Sequence, residues 1–242
     1  MNACLRVTNR LRKRYGDGVL ATGVTGSVGR GTDKANSDVD FNALVTDSQR
    51  IRTHRFVLRG CLFSVAARTE DDWLEELTSP NDGLPLVVGS LKSMRPIYDP
   101  RGRFEHLLKR AEELPNDCWK NAVRVGLEEM VEDLGRVRNA NLSKDSTVFR
   151  LCSPRVAVEA ALVYSSLRRK AILTENDLLD GRAQGYAPAF LKSLLVGAGV
   201  KAAGTRLVLD SLETLYDTLY SEARGQGATP VRYDTASSYT PP

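Results

Sequence analysis

Histidine is almost missing from this chain: His54 and His106 are the only two in 242 residues. Sites built on several imidazoles are excluded, and neither histidine sits in the nucleophile-elbow context that a Ser-His-Asp triad would need. Cysteine is scarce too. Cys4, Cys61, Cys118 and Cys152 stand far apart with no Cys-x-x-Cys pair, which argues against a zinc ribbon or redox pair and for reduced thiols in a reducing compartment. No run approaches the ~20 apolar residues that cross a bilayer. The opening MNACLRVTNRLRKR has no apolar stretch behind its charges, so neither membrane insertion nor a signal peptide is expected. Charge of one sign is also lacking. Thirty-four Lys+Arg against 30 Asp+Glu leave +4, so binding to nucleic acid would have to come from a local patch. What remains is 42% apolar residues, enough for a real core, in a length that suits one large domain or two small ones. A soluble, cytoplasmic protein is the expectation.

The apolar period changes near the middle of the chain. In the first half a charged helix over Asn2–Arg14 precedes short, β-branched runs bounded by Gly, Asp or Pro: Val19–Val24, Val39–Val45, Phe56–Ala66 and Met94–Tyr98. These read as strands. In the second half Val123, Leu127, Met130, Leu134 and Val137 recur at helical steps within Trp119–Asn139. Ser153–Pro154 reads as a helix start, with Ser as N-cap and Pro in the first turn. Thr174–Asp177 reads as a capping box opening another helix. A last helix runs through Leu207, Leu212, Leu215, Tyr216 and Leu219, and the Gly-, Ser-, Thr- and Pro-rich tail after Arg224 reads as an extended arm. A boundary in Leu114–Asp117 divides the chain into residues 1–115, a small domain of strands and helices, and residues 116–242, a helical bundle with its tail.

Chemistry concentrates in GVTGSVGRGTDKANSDVDFNALV (Gly23–Val45). A strand runs straight into Gly26–Ser27, with Gly29 and Gly31 close behind. Asp38 and Asp40 then alternate with Val39 and Phe41 at the start of a second strand. Residues i and i+2 of a strand share a face, so the two carboxylates converge while Val39 turns to the core. Two convergent carboxylates suit a magnesium ion that takes the rest of its shell from triphosphate oxygens and water. The Gly-Ser turn lets backbone N–H groups approach a phosphate, the Ser27 hydroxyl can donate to it, and Arg30 and Lys34 add positive charge. Each part alone has a bland reading as a turn or a solvated face; their order and spacing lift the functional one.

Strand, Gly-Ser, polar loop and Ser37-Asp38-Val39-Asp40 resemble the polymerase-β-like nucleotidyltransferase superfamily, and most closely the kanamycin (aminoglycoside) nucleotidyltransferases. RPIYDPRGRFE (Arg95–Glu105) is similar to the strand-to-helix junction closing that family's first domain, and LEEMVEDLGRVRN (Leu127–Asn139) to the first helix of its second. The resemblance implies an α+β fold: an N-terminal nucleotidyltransferase domain, a mixed sheet with flanking helices, followed by a C-terminal helical bundle. It implies transfer of a nucleoside monophosphate, AMP from ATP first, to the hydroxyl of a small cationic acceptor such as an aminoglycoside, as an antibiotic-resistance enzyme would perform it. Pyrophosphate leaves.

The same resemblance assigns roles. Asp38 and Asp40 hold magnesium, and Gly26, Ser27, Arg30 and Ser37 bind nucleotide. Glu132 is the general base and Arg136, one turn on, contacts phosphates. Glu128 and Glu129 are acceptor contacts on the ground of their charge, not of the resemblance. A homodimer with sites between subunits is implied, so Glu132 can serve the partner's nucleotide. By the helix wheel Glu132 lies about 180° from the apolar stripe, though a solvated Glu132–Arg136 pair would point the same way. One departure stands out: the later strand, where the superfamily carries a third carboxylate, has Ser64 there.

Glu70, Asp71, Asp72, Glu75 and Glu76 form one acidic cluster, and Glu128, Glu129, Glu132 and Asp133 another; facing a cleft, they would attract a polycation. Arg6, Arg10, Arg12, Lys13 and Arg14, with Arg50, Arg52, Arg55 and Arg59, could meet RNA phosphates but lack interleaved aromatics. Transfer to RNA or protein, and nucleotide binding without turnover, therefore stay open as alternatives. No residue recognisably reads a base edge.

Overall fold

The computed structural model describes residues 2–35, 37–48, 50–58 and 60–230; Arg59 and most of the tail lie outside the described residues. The described residues fall into two compact units. The first draws on Met1–Ser79, Gly83–Cys118 and Lys170–Leu178, and the second on Pro80–Asp82, Trp119–Arg169 and the described part of Leu179–Pro242.

In the first unit α1 (Asn2–Tyr15) leads into β1 (Val19–Val24), a short α2 (Gly26–Arg30) and β2 (Val39–Val45). β3 (His54–Leu58) and β4 (Cys61–Arg68) follow, then α3 (Glu70–Thr78), α4 (Leu84–Lys92), β5 (Arg95–Tyr98) and α5 (Arg103–Glu112). The sheet order is β3-β4-β2-β1-β5, with β2 and β4 parallel and the other pairs antiparallel. The α+β class expected from the sequence holds, and so does its mixed sheet. Val39, Phe41, Ala43 and Val45 of β2 and Phe63, Val65 and Ala67 of β4 alternate onto one face, where they form a core with Cys4 and Leu11 of α1. The period of two therefore leaves Asp40, Asn42, Ser64, Ala66 and Arg68 on the other face.

Phe56–Ala66 is not one strand. The chain reverses at Gly60, whose φ of 80° suits a glycine, so the run is a hairpin that pairs Leu58 with Cys61 and Arg55 with Ser64. At the junction after β5 the Asp99 carboxylate accepts from the N–H groups of Arg103 and Phe104, 2.9 and 3.0 Å away, and starts α5.

The second unit holds most of α6 (Asn116–Ser143), then α7 (Ser146–Leu167), α8 (Gly181–Gln184), α9 (Pro188–Gly197) and α10 (Thr205–Gly225). The stripe Val123–Leu127–Met130–Leu134–Val137 is buried throughout. Two helix starts differ from the sequence reading. Asp145, not Ser153, caps α7 by accepting from Thr147 and Val148 N–H, both 3.0 Å away, and Pro154 lies inside that helix. Thr174 and Asp177 do make a capping contact, Thr174 N–H to Asp177 Oδ2 at 3.1 Å, but it opens only one 3₁₀ turn. In α10 Leu212, Leu215, Tyr216 and Leu219 are buried while Leu207 is exposed. No helix of the described residues is long and apolar enough to cross a membrane.

Candidate active site

The β1–α2 turn is pinned by two hydrogen bonds to β2 and one to Ser93 at the end of α4. Thr25 N–H donates to Asp40 O (2.9 Å), Asn42 Nδ2 donates to Thr25 Oγ1 (3.2 Å), and Gly26 N–H donates to Ser93 Oγ (3.3 Å). Gly26 has φ 64°, and a Cβ there would stand 3.1 Å from Asp40 Oδ2. Glycine therefore serves both the turn and the open corner beside the carboxylate.

These residues border a cleft of about 530 Å³ within the first unit. Asp38, Asp40 and Asn42 line it from β2 and the residues leading into it, Ser64, Ala66 and Arg68 from β4, Arg55 from β3, and Gly26 and Ser27 from the turn. Across from them stand Leu86 and Ser90 of α4 and Ile172, Leu173, Thr174 and Asn176. That last segment is fastened to α4: Ile172 N–H donates to Pro85 O at 2.9 Å. A Cβ on Gly89 would lie 1.8 Å from the Ile172 carbonyl oxygen, so only glycine permits the approach.

Of the residues picked from the sequence, Gly26, Ser27, Asp38 and Asp40 thus share one cleft. Arg30 and Ser37 do not line it. Arg30 faces Asp177 at 3.7 Å, and the Ser37 hydroxyl accepts from Lys34 N–H at 2.8 Å, closing the loop. Among the described residues no group of three or more His, Cys, Asp or Glu could hold a metal ion. Asp38 and Asp40 form a pair of hard oxygen donors whose corner Gly26 keeps free, and Asp38 is exposed. Such a pair fits one magnesium ion that takes its remaining ligands from phosphate and water. Ser64 pairs with Asp40 in the parallel register, so the expected place of a third carboxylate is beside Asp40 and holds a hydroxyl.

The other four residues lie on α6, in the second unit. Glu128, Glu129 and Glu132 are exposed. Arg136 donates to Glu132 and, at 2.6 Å, to Asp133, and the two carboxylates hold its guanidinium above the ordinary arginine range. Asp133 is buried and also takes Arg155 at 2.9 Å. A feature with no sequence signal lies nearby: burial, then the Asp82 carboxylate, push Glu159 of α7 up to about 8. The first acidic cluster is largely occupied. Glu70 meets Arg103 (2.9 Å) and His106 (3.6 Å), Glu76 meets Arg68 (3.1 Å), and Asp72 closes a capping box with Thr69.

A second cleft, of about 540 Å³, lies on the α1 side of β3. Arg6, Arg10 and Arg14 line it together with Tyr15, His54 and Phe56. Rings thus stand beside the basic helix, Tyr15 from its own last residue and His54 and Phe56 from β3.

No family model matches the chain. Its sequence is 26% identical over 174 residues to an aminoglycoside nucleotidyltransferase (4') from Staphylococcus aureus, covering 72% of this chain and 69% of that protein. A Bacillus sp. protein of the same description matches equally well over the same shares. The crystal structure of a nucleotidyltransferase-like protein from Exiguobacterium sibiricum shares the fold at a TM-score of 0.57 and 12% identity, covering 91% of this chain and 77% of that one. The chain has a nucleotidyltransferase-like fold. The resemblance read from the Gly-Ser and Asp-x-Asp residues holds, and the cleft that gathers them belongs to the unit built on the mixed sheet.

Proposed function

We propose that the chain transfers a nucleoside monophosphate, AMP from ATP first, to a hydroxyl of a small cationic acceptor of the aminoglycoside kind, with release of pyrophosphate. The observation that carries the reading is the convergence of Asp38, Asp40, Gly26 and Ser27 on one cleft. Gly26 and Ser27 receive the β- and γ-phosphates; the Ser27 hydroxyl, which makes no hydrogen bond to a described residue, is free to donate. Magnesium, held by Asp38 and Asp40, supplies neutralising charge on the phosphates and the leaving group. The segment at Leu173–Asn176 and Ser90 of α4 narrow the cleft opposite the carboxylates. That arrangement positions the nucleotide and sheds water, which is most of what phosphoryl-type transfer asks of a protein.

Glu132 is the proposed general base and Arg136 the phosphate contact, supported by the likeness of Leu127–Asn139 and by the exposure of Glu132 on α6. Their mutual ion pair must open for the base to reach a hydroxyl. A homodimer in which Glu132 serves the partner's cleft belongs to the same proposal, as do Glu128 and Glu129 as acceptor contacts, an antibiotic-resistance role and a cytoplasmic location. The four unpaired cysteines accord with the last. Transfer to RNA is the second reading, favoured by one observation, the Arg6–Arg10–Arg14 cleft with its Tyr15, His54 and Phe56 rings.

Mass spectrometry of a single reaction tests these readings together: protein, magnesium, all four ribonucleoside triphosphates, an aminoglycoside panel and total RNA. An aminoglycoside gaining a nucleoside monophosphate, absent with Asp38→Asn at unchanged melting temperature, is the expected result. Label on RNA alone would select the second reading, and full turnover by Asp38→Asn would remove the metal assignment.

A further inference from the structure

One charge in the cleft has no part in the reading above. β3, β4 and β2 lie side by side, with Arg55 opposite Ser64 and Ser64 opposite Asp40. Residues abreast on neighbouring strands share a face, so Arg55, Ser64 and Asp40 form a row across the cleft floor. Two strand spacings of about 4.8 Å put the Arg55 backbone roughly 10 Å from that of Asp40, a gap that a long side chain largely crosses. Arg55 is exposed and makes no ion pair with any described residue. The other cleft arginine is committed, since Arg68 is held by Glu76 at 3.1 Å with its guanidinium 4.6 Å above the Trp73 ring.

The row has a direction. Gly26 and Ser27 follow β1, on one side of Asp40; Ser64 and Arg55 lie on the other. In-line displacement places the entering and leaving oxygens on opposite sides of the phosphorus. With the β- and γ-phosphates over Gly26–Ser27, the acceptor enters from the β4–β3 side, and the α-phosphoryl oxygens face the row. No carboxylate of the row beyond Asp40 can hold a second cation there, and a guanidinium stands in that quarter.

Resting on the nucleotidyl-transfer reading, we infer that Arg55 is a catalytic residue whose guanidinium donates to a non-bridging oxygen of the α-phosphoryl group. In the step, the acceptor oxygen bonds to the α-phosphorus as the bond to the bridging oxygen breaks, and pyrophosphate leaves with that electron pair. The acceptor proton passes to the general base. Arg55 keeps its protons and offsets negative charge that shifts onto the equatorial oxygens.

Calorimetric titration of the full chain with ATP and with AMP, each with magnesium and with EDTA, tests this without needing the acceptor. The α-phosphate is common to both ligands. Arg55→Gln is expected to weaken both about tenfold, magnesium present or not, the loss of one charge-assisted hydrogen bond. Arg55→Lys recovers most of it, and the bound ATP α-phosphorus resonance moves in Arg55→Gln. Loss for ATP but not AMP would place Arg55 on the outer phosphates, and no loss for either would remove it from the nucleotide; each overturns the inference and leaves nucleotidyl transfer standing. Wild type that binds neither nucleotide in either buffer would overturn the underlying reading instead.

Discussion

Replacing Glu159 by Gln should stabilise the second unit in mild alkali and do almost nothing in acid. Glu159 lies on α7 with Oε2 buried and without a partner. Burial is the largest cause of its raised pKa. The Asp82 carboxylate that hydrogen-bonds it follows, then Glu129 and Asp133. Gly126 of α6 sits close to the same part of α7: a Cβ there would stand 2.6 Å from Val163. The sign follows from where the proton sits. The unfolded carboxyl ionises near 4.5 and the folded one near 8, so between those values the folded state holds a proton that the unfolded state has released. Stability is full below 4.5 and falls as pH rises through 8. At 1.36 kcal/mol per pKa unit the loss is at most about 5 kcal/mol, and partial solvent access reduces it to about 2 kcal/mol. Glutamine keeps a donor for Asp82 and never ionises. Urea titrations at pH 4.5 and 8.5 should therefore give Glu159→Gln and wild type equal stability at the lower pH, and the variant about 2 kcal/mol more at the higher one. Equal differences at both pH values would refute the argument.

Asp72 works in the opposite sense. The Thr69 backbone N–H, 2.7 Å from its Oδ2, holds its carboxyl below the ordinary range. Its capping contribution is thus present at neutral pH and lost as acid reaches the folded value; Asp72→Ala should cost about 1 kcal/mol at pH 7 and little at pH 2 in the same titrations. Gly89→Ala should drive Ile172 from α4, costing about 1–3 kcal/mol in a melt and weakening ATP binding as Leu173, Thr174 and Asn176 leave the cleft. Unchanged ATP affinity there would take that segment out of the site.

The parts of this molecule legible in the sequence are those set by neighbours along the chain. β1 and β2 begin and end where their apolar runs do, and the Val123–Val137 stripe is buried as its period demands. Asp40 faces the cleft by the period of its strand, and Asp38, one residue before β2, lines the same cleft. The misread starts were also local, but ambiguous. Ser153–Pro154 fits a helix start and equally fits a helix already under way, and the capping carboxylate of Asp145 eight residues earlier decides between them. Asp82, Glu159, Leu173 and Asn176 had no such signal, because their importance comes from contacts between segments distant in sequence, one of which only Gly89 allows.

The cleft's charge shows why sequence spacing goes only part of the way. Taken as one strand, Phe56–Ala66 leaves Arg55 outside the sheet and Ser64 as a bare loss of a carboxylate. Folded at Gly60, the same residues run as a hairpin, and the pairing of Leu58 with Cys61 fixes Arg55 against Ser64. The parallel register of β4 with β2 then fixes Ser64 against Asp40. A one-residue slip in either ladder would turn the Arg55 side chain to the α1 face. The buried alternation of Phe63, Val65 and Ala67 against α1 opposes that slip, since each would have to face the cleft. Whether the β4–β3 side of the cleft carries a cation is therefore decided by the apolar residues on the opposite face of the sheet.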